Sequence, residues 1–444
     1  MMWLNSYVFC MVSQLDEMMK LIDSGNLQEA KKQFCEKASS LSKYDYLKLS
    51  KHLSEREYHL ECMSVLKKGL EYFPKNAYLI RSLVPKVYKH IIRRFYNEKH
   101  IPEEKYIATI RYIDRILEEM NRGEYSYIYL QHVDYLLAKQ NANKEIASAY
   151  LQRLQGFSLS KDAYKNGEQS FPSPYEKWVM KTAKLQFELK EYTQCIKIVD
   201  EALKEKVSWH YHNDVWLLRL KARSLCFLGE MTDAVRIYEE LLLKHPTWFM
   251  YREIAECYEN IGERQKALYY GAKACLSRDA EPTKCGKLYA MMYEWLVESE
   301  EYMAFTHIAY IAEIYNKNNF HMDEKTKKLY ECMCTKYELP TNIRRTLEQF
   351  WLHLIERMIP RHEGTICKLL PNGKAGFIEY GNKQKIYFKT SDVRFPKKLV
   401  QEGKKVTFFI EESFDFAKKQ RSQIAQYVCE VKDERYHPKS PSMS

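Results

Sequence analysis

The chain has little of what interrupts helices: 14 Gly and 13 Pro in 444 residues. So few breakers argue against an all-β protein and against an enzyme built on glycine-rich loops, and favour long uninterrupted helices. No apolar run reaches the roughly 18 residues of a membrane-spanning helix. Also missing are G-x-x-x-x-G-K-[ST], G-x-G-x-x-G after a strand, and H-E-x-x-H. Phosphate-cradling loops, dinucleotide folds and helical zinc peptidases therefore lose their usual signals. The stretch from Met1 is apolar for about a dozen residues, but it has neither the basic segment nor the small-residue cleavage site of a signal peptide. Gln14, Asp16 and Glu17 soon follow. A soluble cytoplasmic protein is expected.

Twelve cysteines are spread through apolar helical stretches, Cys62, Cys195, Cys226 and Cys257 among them. That spread suits buried thiols in a reducing compartment rather than a disulfide scaffold. Cys332-Met-Cys334 lacks a C-x-x-C spacing and a second pair, and His210, His212 and Cys226 make no recognised ligand set. No metal and no cofactor is expected. The formal charge of +11 is unevenly placed: residues 361–444 hold 17 Lys/Arg against 10 Asp/Glu, and the first 360 residues hold 53 against 49.

What the chain has in quantity is tyrosine, 35 of them, and helical self-similarity. One unit reads Ala222, Leu225, Gly229, Ala234, Tyr238, Leu241, Pro246. The next reads Ile254, Ala255, Tyr258, Gly262, Ala267, Ala274. Ala234 and Ala267 lie 33 residues apart. Small residues let paired helices approach, Gly229 and Gly262 serve the turn between them, and Pro246 ends the second helix. Weaker units run from Leu21 through Ala30, from Leu49 through Cys62 to Pro74, from Trp178 through Cys195 to Ala202, and from Tyr289 through Tyr302 to Ala312. Residues 78–121 and 125–155 are helical in period without a clean consensus. Thr341 stands where it could cap a last helix carrying Leu347, Phe350, Trp351 and Leu354. The period and the small positions resemble the tetratricopeptide repeat. The resemblance implies a solenoid of helical hairpins whose concave face takes a protein partner.

Near residue 361 the period changes from 3.6 to 2. Strands are expected at Gly364–Leu370, Ala375–Tyr380, Lys385–Lys389, Lys404–Glu411 and Ser422–Glu430, with turns at Pro371–Lys374 and Gly381-Asn382. The loop Glu412–Arg421 ends in Lys418, Lys419 and Arg421. The run from Gly364 to Ile378, the segment Ile386–Val393 and the segment Glu402–Phe408 resemble, in order, three motifs of the cold-shock domain. That resemblance implies a five-stranded barrel of the OB type that binds single-stranded nucleic acid on one sheet face. With Ile366, Ile378, Ile386 and Phe388 turned inward, Lys368, Phe377, Tyr387 and Lys389 face outward together, and Lys374 stands in the adjoining turn. Exposed aromatics stack unpaired bases, and lysines neutralise phosphates. The chain departs from the family at Lys368, Ala375, Lys389 and Thr390, where the platform would carry aromatics or a histidine. Binding is therefore expected to be weaker, less base-selective and more salt-dependent than in the family.

The expected fold is mainly α: a tetratricopeptide-like helical-hairpin solenoid followed by a small five-stranded β-barrel. The expected divisions are degenerate helical repeats over 1–155, a linker over 156–177, central repeats over 178–359, the barrel over 360–432 and a disordered tail over 433–444. No catalytic constellation stands out. Arg94 and His100 have the spacing of some metal-independent helical ribonucleases, a spacing that chance supplies readily among 70 basic residues and 13 His. The expectation is a non-enzymatic adaptor, with a protein partner on the repeats and single-stranded RNA or DNA on the barrel. Such an architecture suits RNA metabolism or an anti-phage defence system. The alternative is a protein-interaction scaffold whose barrel binds no nucleic acid.

Overall fold

A computed structural model describes residues 14–97, 101–139, 141–155 and 159–431. The apolar start of the chain, His100 and the expected tail over 433–444 lie outside the described residues. The chain is mainly helical and divides into two compact units, one running to residue 185 with 206–209, the other 186–205 with 210–444.

In the first unit, helix Leu27–Lys37 is followed by Lys43–Glu55, His59–Tyr72 and Ala77–Val87, the last three packing each on the next. Ser42 and Asp45 close a capping box on helix Lys43–Glu55, satisfying donors that a bare helix start leaves open. Ala30 and Cys62 are both buried, as small residues between packed helices should be. Gly69 is needed because a Cβ there would stand 3.0 Å from the Tyr46 ring. The weak consensus that follows has a physical cause. Helix Ala77–Val87 runs into a π-helical turn, Tyr88–Ile92, before Arg93–Asn97. A π turn inserts a residue and shifts the apolar stripe out of phase. Helices Glu103–Ile116, Ser126–Leu137 and Lys144–Gln152 continue the unit. The stretch expected as a linker contains a two-stranded hairpin, Tyr164–Asn166 with Gln169–Phe171, and the helix Pro174–Glu188 begins inside it.

The second unit stacks α1 (Tyr192–Lys204), α2 (Asn213–Leu228), α3 (Met231–Lys244), α4 (Trp248–Ile261), α5 (Arg264–Leu276), α6 (Gly286–Leu296), α7 (Glu301–Lys317), α8 (Glu324–Lys336) and α9 (Ile343–Glu356). Ala222, Ala234, Ala255 and Ala267 are fully buried. Gly229 and Gly262 end α2 and α4 with φ of 85° and 86°, the left-handed cap that glycine enters without steric penalty. The cap of α9 is Asn342 rather than Thr341: its side-chain oxygen accepts from the Arg345 N–H at 2.9 Å, and asparagine is among the best acceptors there. Cys62, Cys195 and Cys257 are buried as expected, but Cys226 is only partly so, and its Sγ lies 3.0 Å from that of Cys257. Among the described residues no helix is long and apolar enough to cross a membrane.

The barrel follows α9: β1 (Arg361–Leu369), β2 (Ala375–Tyr380), β3 (Gln384–Lys389), β4 (Lys405–Asp415) and β5 (Gln420–Glu430). It closes in the order β1-β2-β3-β5-β4, with β3 and β5 parallel and β4 returning to β1. Closure removes the exposed edges that a small open sheet would leave. Ile366, Ile378, Ile386, Phe388, Val406 and Phe408 fill it. The expected loop Glu412–Arg421 is instead mostly strand. β4 and β5 pair from Glu411↔Ile424 out to Asp415↔Gln420, leaving a tight turn at residues 416–419.

Candidate nucleic-acid interface

The barrel and the helices of the second unit share a core. Phe409 and Tyr427 belong to the same buried cluster as α2 to α9. Strands β4 and β5 are therefore apolar on both faces: Phe408 and Val428 point into the barrel, while Phe409 and Tyr427 meet the helices. A bulge between Thr407 and Phe409, with Tyr427 at a φ of 51°, re-aims these neighbours to opposite sides.

The seam includes a buried ion pair. Lys273 Nζ on α5 donates to Glu411 Oε2 on β4 at 2.6 Å, with the two residues 6% and 7% exposed. Three rings surround the ammonium, with Tyr251, Tyr269 and Tyr270 centroids at 4.9, 5.2 and 5.9 Å. Burial by itself would lower the Lys273 pKa; the Glu411 carboxylate and the nearby phenols outweigh it and hold the pKa well above its ordinary value. Burial, then the same carboxylate, pushes the Tyr427 phenol well up.

The exposed side of β1–β3 is different. Lys368 stands opposite Phe377, and Phe377 opposite Tyr387, so the three form one row across three strands. The Phe377 and Tyr387 rings meet edge to face with centroids 5.9 Å apart, and both are partly exposed. Gly376 sits beside them because a Cβ there would come within 2.5 Å of the Lys368 carbonyl. Phe377, Tyr387 and Lys389 open into a cleft of about 900 Å³, walled by the α3–α4 and post-α5 loops and by the β4–β5 hairpin. Lys368 and Lys374 do not line it: Lys368 borders Phe377 from β1, and Lys374 stands in the β1–β2 turn, its carbonyl accepting from Thr390 N.

The cleft's acids have internal partners, Lys244 lies over the Phe414 ring, and Lys389 stands near enough to Asp392 to act on its charge. Asp392 pairs with Arg278 at 3.3 Å, and burial raises its pKa despite that partner. Asp279 accepts from the Trp248 N–H, and Asp415 from the Ala417 and Lys418 N–H groups. Arg394 donates to the Leu276 carbonyl. Lys244, Lys389 and Lys418 have no ion pair among the described residues. The sequence places Lys418 on a basic edge, whereas Lys244, Phe414 and Phe416 join the site only in the fold. Nothing local marks Lys244, which reaches the cleft from another part of the chain. Among the described residues no group of three His, Cys, Asp or Glu side chains could hold a metal ion.

Solved structures of helical-repeat proteins are similar to this chain. No family model matches the chain, and no curated protein matches it. One such structure is MamA residues 41–end from Desulfovibrio magneticus RS-1, 15% identical, covering 43% of this chain and 96% of that one with a TM-score of 0.35. A tetratricopeptide repeat protein from Parabacteroides merdae is 15% identical over 66% of this chain and 98% of that one, TM-score 0.31. A human IFIT1 dimer with m7Gppp-AAAA is 14% identical over 76% of each chain, TM-score 0.35.

Proposed function

We propose that the protein is a non-enzymatic cytoplasmic adaptor: its tetratricopeptide-like repeats dock a protein partner, and its barrel, of the cold-shock or OB type, binds single-stranded RNA or DNA. A five-stranded Greek-key barrel is the architecture of OB-folds, and the observed strand order suits it. The observation that carries the reading is the row Lys368–Phe377–Tyr387, with Lys389 and Lys374 beside it. Two rings on adjacent strands give bases faces to stack on, and amines at their rim meet phosphates. The test uses the full chain, because the barrel shares its core with the helices. Anisotropy of a labelled single-stranded oligonucleotide at low salt should show binding that Phe377→Ala and Tyr387→Ala remove. Undiminished binding in the double variant sinks the reading.

A second reading, a protein-interaction scaffold with a barrel that binds no nucleic acid, draws on the seam. Phe409 and Tyr427 cover helical surface around Tyr251 and Lys273, which gives the barrel a packing role apart from any ligand. An absence of any oligonucleotide binding at low salt supports it.

A further inference from the structure

We propose that the cleft is a two-jawed grip, in which the helical array and the β4–β5 hairpin close over a short single strand lying on the barrel platform. This rests on the nucleic-acid reading above and extends it to residues outside the expected platform. The first jaw is Phe377, Tyr387 and Lys389. The second is the hairpin tip, with Phe414, Phe416 and Lys418, together with Lys244 from the end of α3.

The second jaw is held in place by the array. Lys244 Nζ lies 5.1 Å from the Phe414 ring centroid, the His245 ring 6.1 Å from that of Phe416, and Arg421 pairs with Glu240. Phe414 and Phe416 meet edge to face at 5.2 Å. Phe416 is nevertheless 61% exposed. Phe416 lines the cleft, so its exposed ring is available to stack on a base. The occupant is chosen by the chemistry of both walls. Each jaw pairs aromatic rings with unpaired amines, which suits stacked bases joined by phosphates. The acids in the cleft are already engaged by internal partners. A volume of about 900 Å³ limits the enclosed segment to a few nucleotides. The array therefore takes a direct part in holding the strand.

The test is anisotropy with the full chain and labelled ten-nucleotide oligo-U and oligo-dT at low salt. The variants are Phe377→Ala with Tyr387→Ala for the platform, and Lys244→Glu, Phe416→Ala and Lys418→Glu for the second jaw. Lys397→Glu, an exposed barrel lysine outside the cleft, reports the general effect of losing positive charge. Each second-jaw variant should weaken binding about fivefold or more, and well beyond Lys397→Glu. The three substituted residues of the second jaw, Lys244, Phe416 and Lys418, are solvent-exposed, so a change in folding is not expected, and a thermal melt verifies it. If the platform pair abolishes binding while the second-jaw variants match Lys397→Glu, the grip is wrong and the platform reading stands. If neither oligonucleotide binds the native chain, both fall. The ratio of the two affinities separates an RNA site from a DNA site.

Discussion

The barrel meets the helices of its unit in two contrasting ways. On the β4–β5 side the junction is closely packed: Phe409 and Tyr427 lie in the helical core, and Lys273 and Glu411 form a buried pair inside a ring of tyrosines. On the β2–β3 side the same two bodies stand apart across an open cleft, with partly exposed rings and unpaired lysines. The first junction fixes the barrel's orientation, and the second keeps a surface clear. A buried ion pair is weak as a source of net stability, but it punishes any arrangement that separates its partners. Here it holds the barrel where the platform confronts α3 rather than open solvent.

The contrast can be broken first at the seam. Lys273→Met strands a buried carboxylate and should lower stability by roughly 3–5 kcal/mol. Adding Glu411→Leu should restore most of it, because the apolar pair needs no desolvation. Urea titration followed by tryptophan fluorescence reads both. A single variant as stable as the native chain would remove the pair from any role in fixing the barrel.

The next effect lies inside the helices. His307 on α7 is fully buried. Its Nδ1–H donates to the Met303 carbonyl at 2.7 Å, and Nε2 accepts from the Trp351 indole at 2.9 Å. Burial lowers its pKa from 6.5 to about 4. A depressed pKa means stability that is complete above pH 6.5 and is lost as the pH falls towards 4. The loss is roughly 3 kcal/mol by linkage. His307→Gln should flatten that part of the stability–pH profile, and an unchanged slope would refute the assignment.

On the open side the effects are smaller and appear in binding, not folding. Phe377→Ala and Tyr387→Ala should each weaken oligonucleotide binding by about 1–3 kcal/mol, the range for a stacked base. The urea midpoint should stay in place. A matching loss of stability would show that the rings pack structurally instead.

The smallest effect is the salt response. Lys244, Lys389 and Lys418 in the cleft, with Lys368 and Lys374 beside the platform, predict a slope of about −3.5 for log K against log salt with a single strand. A flat response would mean that the lysines contact no phosphate.

Much of this was legible in the amino-acid order. Ala222, Gly229 and Ala234 announce a helical hairpin because close packing and a left-handed turn admit few other residues. Alternation at Ile386, Tyr387, Phe388 and Lys389 places the two rings and the lysine on their faces. What misled was local. The π turn after Val87 blurred the repeat, and charged residues disguised the hairpin around Phe414 and Phe416 as a loop. Phe408-Phe409 and Tyr427-Val428 do break the period of two, as strands buried on both faces do.

By itself, then, the sequence determined the helical hairpins, the five strands and the outward row of Phe377 and Tyr387. Periodicity and backbone sterics act over a few residues and are written in the chain. The tertiary structure alone decided that Lys273 meets Glu411 across 138 residues, and that Lys244 faces the platform from α3. Pairings of that kind arise from desolvation and packing between distant segments, for which no local spacing carries a sign.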